Sequence, residues 1–211
     1  MKTLVIVGAG GHGMVCADIA ERAGGFDTIV FSDGAHGRGT PAGRWIVEFD
    51  DEDLSSLDPP ANQFLLGVGQ IGTGHARERI FSRIEESGLA AATLIATNAS
   101  VSRDSTMGPG TLIGFMSTVN IGAAIGSNVI VNTRAVIEHD VTIGDHVHVS
   151  TGAVVNGGAT VGHRCLIGSN ATVLQGVSIC DDVIVGAGAV VTSDIDSPGT
   201  YVGVPARKIH D

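Results

Sequence analysis

The second half of the chain places an aliphatic side chain at every sixth position: Val101, Met107, Ile113, Val119, Ile125, Val131, Ile137, Ile143, Val149, Val155, Val161, Ile167, Val173, Ile179, Val185 and Val191. Four residues after many of these comes a small or β-branched residue, among them Thr111, Ala123, Ala135, Ala153 and Ala171, and glycine often follows the aliphatic position directly, as at Gly114, Gly144 and Gly168. A six-residue period at this regularity is that of a parallel β-helix. Each hexad supplies a short strand and a corner, and its aliphatic residue is buried only when coils stack. A β-sandwich is the alternative, but its strands vary in length and phase.

The first ninety-odd residues follow other rules. KTLVIVG is an apolar strand that runs into Gly8-Ala9-Gly10-Gly11-His12-Gly13, and MVCADIAERAG continues as an amphipathic helix. A second strand, TIVFSD, ends at Asp33, twenty residues beyond Gly13. After the polar loop GAHGRGTPAG come a strand near NQFLLGVG, a helix near HARERIFSRIEES and a last strand near AATLIA, together making one small parallel sheet. Strand, glycine turn, helix and a spaced acid are the context of a nucleotide-binding turn. Free amides at the helix start hold phosphate, and Asp33 can accept hydrogen bonds from a ribose or base. A dinucleotide site needs two such halves, so a single nucleotide group is expected rather than NAD. The other reading keeps these glycines for tight helix–strand packing alone.

Composition narrows the partners. With 211 residues, 43% of them hydrophobic, the chain can bury a sizeable core. A formal charge of −10, without any run of Lys and Arg, argues against nucleic acid, so an anionic ligand must be held locally. Cys16, Cys165 and Cys180 are an odd, widely spaced set, which fits reduced thiols packed in a cytosolic protein. The N-terminal apolar run is too short for a signal peptide or a membrane span, and a cytoplasmic protein without a membrane segment is expected.

The segment from about Asn98 to the C-terminus resembles the left-handed β-helix of the hexapeptide-repeat acyltransferases. The whole chain resembles the bacterial sugar acyltransferases of the sialic acid O-acetyltransferase type, most closely their nucleotide-activated amino-sugar N-acetyltransferase members. The pieces that carry the resemblance are VGAGGHG, the FSD strand end, FLLGVG, VNTRAVIEHDVTIGDHVHVSTGAVVNGG and the terminal YVGVPAR. It implies a Rossmann-like domain over residues 1–97 that holds the nucleotide of an activated sugar, and a left-handed β-helix acetyltransferase domain over 98–211. It also implies acetyl-CoA lying along the β-helix between subunits of a homotrimer. The histidine of I-E-H-D, here His139, is the implied catalytic base, with Asp140 beside it. Substrate contacts are implied at Gly10, Gly11, His12, Gly13, Asp33, Gly67, Val68, Gly69 and Asn132, and acyl-donor contacts at His148, Gly157, Ser169 and Ala187. No metal is required. Ser32 departs from members that carry a second acid before Asp33.

In that fold three hexads make one triangular coil, so residues eighteen apart stack at roughly the 4.8 Å strand spacing. On this map His148 points outward between inward Val147 and Val149, while His139 and Asp140 fall at a corner with Gly157 one coil above His139. His163 stands between Asp145 and Asp181 as a structural column, and His146 is expected on a solvated face. A sugar amine must be neutral to attack a thioester, so a histidine base suits the reaction, with Asp140 or Glu138 orienting it and the Gly157 N–H as donor to the oxyanion. Three rivals stay open: O-acetylation of a free sialic acid, a non-catalytic nucleotide-sugar sensor, and a zinc hydratase resembling the γ-class carbonic anhydrases with His139, His148 and His163 as ligands.

Overall fold

The computed structural model describes residues 1–50, 52–59 and 61–209, so the last two residues of the expected second domain lie outside the described residues. The N-terminal domain is built from β1 (Thr3–Val7), α1 (Gly11–Ala23), β2 (Thr28–Ser32), β3 (Pro41–Ala42), β4 (Trp45–Phe49), β5 (Asn62–Leu66), α2 (His75–Glu85) and β6 (Ala90–Ala91). Its sheet runs in the order β3-β4-β2-β1-β5-β6, parallel except for the β3–β4 pair. Alternation along the strands sorts two cores. Leu4, Ile6, Phe31 and Leu65 meet α1, whereas Val5, Val7, Val30, Phe64 and Leu66 meet α2 and the short 3-10 helix Asp53–Ser56.

The expected last strand AATLIA divides. β6 pairs with β5, while β7 (Leu94–Ile95) pairs with Leu112–Ile113 and opens the β-helix. The change of partner falls at Thr93, whose hydroxyl donates to the Gly108 carbonyl (3.2 Å). Hydrogen bonding to the β-helix therefore starts ahead of residue 98.

From Leu94 to Val191 the chain winds into three parallel sheets, its strands pairing with those eighteen positions on, as in Ile130↔His148↔Leu166. The sixfold aliphatic positions are the inward residues of these strands and form one continuous core. Burying each contributes roughly 1.5–3 kcal/mol. The turns share one device: every sixth residue from Gly110 to Gly188 has φ between 52° and 73°. Glycine fills six of these corners; Met116, Asn128, Arg134, Asp140, His146, Arg164, Asn170 and Asp182 fill the rest.

The two domains share a core. Cys16, Ala17, Ile19 and Ala20 of α1 pack between the first sheet and the outward residues Leu94, Leu112 and Ile130 of the β-helix. No helix among the described residues is long and apolar enough to cross a membrane.

Candidate functional site

The glycine turn ends β1 and starts α1, which begins at Gly11 rather than at Met14. Gly10 caps it, no acid occupies the first turn, and the space that a side chain on Gly10 or Gly11 would take is open. Such a helix start binds a phosphate. Gly13 and Gly67 serve close packing. A Cβ on Gly13 would overlap the Gly8 carbonyl, and one on Gly67 would come within 2.6 Å of Ile6 and 2.9 Å of the Gly13 Cα. Asp33 is already engaged. Its Oδ2 accepts from the Ala9 N–H (2.7 Å) and its Oδ1 from the Ala35 (2.8 Å) and His36 (3.1 Å) N–H groups. Burial raises the carboxyl pKa, but these bonds outweigh it and hold Asp33 below its ordinary value. The acid thus braces the turn and also lines a cavity of about 470 Å³ together with Gly8, Ala35 and Val68.

A second cavity, about 370 Å³, lies where the loop after β5 meets the first face of the β-helix, and Asn132, His148, Ser169 and Ala187 line it together with Gln70 and Ile71. His148 does point outward from its strand, but it is not exposed. The loop covers it, leaving 8% accessible. Its Nδ1–H donates to the Gln70 carbonyl (3.1 Å), and its Nε2 accepts from the Asn132 amide (3.1 Å). Burial, opposed by the Gln70 bond and aided by the Arg77 charge, pushes its pKa down to about 4. His148 is therefore a neutral, locked ring. His12 turns the same way. Its ring lies 3.7 Å from the Cys16 thiol, and burial first, then Arg77, lowers its pKa to about 3. Arg77, buried and still charged, holds the Val68 carbonyl and the Asn128 carbonyl (3.2 Å), pinning the loop to the β-helix.

The third group sits at a different corner of the prism, past the strand Val136–Ile137. The His139 Nδ1–H donates to Asp140 Oδ2 (2.9 Å), and its side chain is 53% accessible. Nε2 is left with its lone pair, facing Gly157, where any Cβ would come within 2.5 Å of it. Glu138 steadies the corner, accepting from the Asn120 amide (2.9 Å) and the His139 N–H (3.3 Å). A strongly oriented imidazole with one exposed basic nitrogen, next to the backbone of a glycine, can take a proton from a bound nucleophile.

The chain thus gathers Asn132, His148, Ser169 and Ala187 at one cavity, Gly10, Gly11, Asp33 and Val68 around the nucleotide-type turn, and His139, Asp140 and Gly157 at a separate corner. Gln70, Ile71 and Arg77 were not expected; they reach the site only through domain packing, which leaves no mark in the hexad or strand periodicity. One structural expectation needs correcting: His146 is not on a solvated face, since Phe81 of α2 packs on its ring (5.8 Å between centroids) and the Asn128 amide meets its Nδ1 (3.0 Å). For the zinc reading, His148 has no lone pair to spare, while His163 Nδ1 accepts from the Asp145 N–H (2.9 Å) and leaves only its other nitrogen. Among the described residues no three His, Cys, Asp or Glu side chains cluster as a metal site.

A parallel β-helix of hexads behind a small Rossmann-like sheet defines a hexapeptide-repeat transferase with a nucleotide-type N-terminal domain. Residues 3–84 match the PglD N-terminal domain family, residues 122–157 the bacterial transferase hexapeptide (six repeats) and residues 158–193 the hexapeptide repeat of succinyl-transferase. Comparison with curated proteins gave no match. Among solved structures, the acetyltransferase domain of PglB from Neisseria gonorrhoeae is similar at 31% identity and a TM-score of 0.93, covering 99% of this chain and 100% of that one. The same domain in complex with acetyl coenzyme A is similar at 32% identity, with 99% of each chain covered and a TM-score of 0.93. PerB from Caulobacter crescentus, in complex with CoA and GDP-perosamine, is similar at 29% identity over 100% of this chain and 98% of that one, with a TM-score of 0.89. The chain belongs to the hexapeptide-repeat sugar acetyltransferases.

Proposed function

We propose that the protein transfers an acetyl group from acetyl-CoA to the amine of a nucleotide-activated amino sugar, with His139 as general base. The observation that carries this reading is the His139 ring, tied through Nδ1 to Asp140 with Nε2 free beside Gly157. The nucleotide sits at the Gly10–Gly11 helix start and near Asp33, and the acyl donor occupies the cavity of Asn132, His148, Ser169 and Ala187. The neutral amine attacks the thioester carbon, the carbonyl electrons move to oxygen, and Nε2 of His139 takes the amine proton. Collapse of the intermediate expels the CoA thiolate, which regains that proton. The Gly157 N–H, which has no backbone partner among the described residues, would donate to the oxyanion. No step passes through a cysteine: burial pushes the Cys16 and Cys165 thiols up to about 12.

Because His139 and the acyl cavity lie on different edges of one prism, the site is completed by a neighbouring copy in a homotrimer. Both ligands are cytosolic metabolites, which places the protein in the cytoplasm. Acetyl-CoA consumption measured against UDP-, GDP- and dTDP-amino sugars, with free sialic acid in parallel, tests the proposal. Turnover with a nucleotide amino sugar is expected; turnover with sialic acid alone would replace N-transfer by O-acetylation.

A further inference from the structure

Ile71 is fully exposed, in a loop that is otherwise fastened down. Its neighbour Gln70 is held at three points. The Gln70 carbonyl accepts from His148, and the side-chain amide donates to the Cys165 carbonyl (3.1 Å) and the Gly72 carbonyl (3.0 Å). Arg77 holds Val68, and the Gly74 N–H donates to the Arg164 carbonyl (2.9 Å). Ile71 is thus presented from a clamped frame. A lone exposed aliphatic residue is ordinary on a protein surface. This one lines the 370 Å³ cavity together with Leu166 and Ile184, outward residues of successive coils on the face that begins with Leu94, Leu112 and Ile130, from which His148 separates them. Along that face the N-terminal domain buries Leu94, Leu112 and Ile130, while Ile71, fully exposed, borders the cavity of Leu166 and Ile184.

We propose that Ile71 is the outer wall of the acyl-donor site, closing over the pantetheine arm of acyl-CoA against Leu166 and Ile184. This rests on the acetyl-CoA reading above. The arm is a flexible chain of methylenes, a gem-dimethyl group and two amides, which needs apolar contact on both sides with polar groups at intervals. Ile71, Leu166 and Ile184 supply the first, while Asn132 and Ser150 supply the second. The adenosine end of CoA needs nothing from Ile71. The same loop lines the nucleotide-side cavity through Val68, so the N-terminal domain touches both substrates with one segment.

The test compares binding of CoA and of adenosine 3′,5′-bisphosphate, which lacks the arm, to wild type and to Ile71→Asn and Ile71→Leu by isothermal titration. Ile71→Asn should weaken CoA by about 10-fold and leave the bisphosphate unchanged, while Ile71→Leu stays near wild type. Sedimentation of all three proteins should be the same. Equal CoA affinity in wild type and Ile71→Asn would overturn the assignment. Loss of assembly in Ile71→Asn would also overturn it, because Ile71 would then be covered by another subunit. A wild-type protein that binds no CoA would instead sink the acetyltransferase reading itself.

Discussion

The histidines of this chain are set to opposite tasks by their surroundings. His139 keeps an exposed Nε2 and a carboxylate on Nδ1, which is the arrangement of a base, whereas His148 has both nitrogens bonded and sits under a loop. His139→Ala should therefore fold normally and lower kcat by about 100-fold or more. Asp140→Asn should cost less, since an amide oxygen still accepts the Nδ1–H and asparagine suits the left-handed corner at φ 58°. Stopped-flow or thiol-release kinetics on folded variants decide this, and near-normal turnover of His139→Ala would remove it as the base. His148 and His12 yield a different prediction. Their folded pKa values, about 4 and about 3, lie below the ordinary 6.5, so the unfolded chain binds more protons as pH falls through 6.5. The stability they provide is complete above that pH and declines on acidification, by about 1.4 kcal/mol per pH unit for each ring until its folded pKa is reached. Urea midpoints should drop between pH 7 and pH 5, before most carboxylates titrate; a flat profile would mean that both rings take up protons inside the fold as readily as in the unfolded chain.

At the scale of the element, the hexad is the unit, and its cost lies at the corner. L-residues other than glycine are disfavoured at positive φ by roughly 1–2 kcal/mol, and the chain accepts this where the side chain does something. Asn128 bonds Arg77 and His146, and Arg164 at φ 59° holds Asp182 (2.9 Å) and Asp181 (3.3 Å). Arg134, at φ 60°, is exposed and has no side-chain partner among the described residues. Arg134→Gly should raise stability by about 0.5–1 kcal/mol after allowing for the greater entropy of unfolded glycine. Arg164→Gly should lower it, and calorimetry of the pair separates corner strain from side-chain bonding. These elements were legible in sequence to very different degrees. The β-helix strands could be read directly, because every coil repeats the same inward position and an error in one hexad is corrected by the next. The β3–β4 hairpin could not: only Val47 of β4 is fully buried, so its alternation is faint. AATLIA looked like one strand because nothing local records that Ala91 pairs with Phe64 while Leu94 pairs with Leu112. For the same reason the periodicity gave the outward direction of His148 but not the loop that buries it.

At the scale of the whole molecule, two half-sites on one prism have to be reconciled with one reaction. On the proposed reading His139 follows the second face and the acyl-donor cavity lies on the first, so base and thioester would come from different copies. A threefold arrangement sets one edge of each prism against a different edge of its neighbour, and the base of one copy then meets the cavity of the next. Complementation distinguishes this from a site within one chain. His148 is a poor partner for such a test, because its removal would leave the Gln70 carbonyl and the Asn132 amide without partners in a buried place. Ala187 is a better one: it is exposed and lines the cavity, so Ala187→Trp fills the space at little cost to the fold. Trimers of His139→Ala alone lack a base, and trimers of Ala187→Trp alone lack room for the donor. In an equal mixture, unfolded and reassembled together, one directed interface in four pairs an intact His139 with an intact cavity, so activity should return to about a quarter of wild type. Sedimentation must first show a trimer for each protein. If mixing restores nothing while trimers form, base and cavity serve each other within one chain and the intersubunit site is wrong; a fully active monomer would refute it without the mixture.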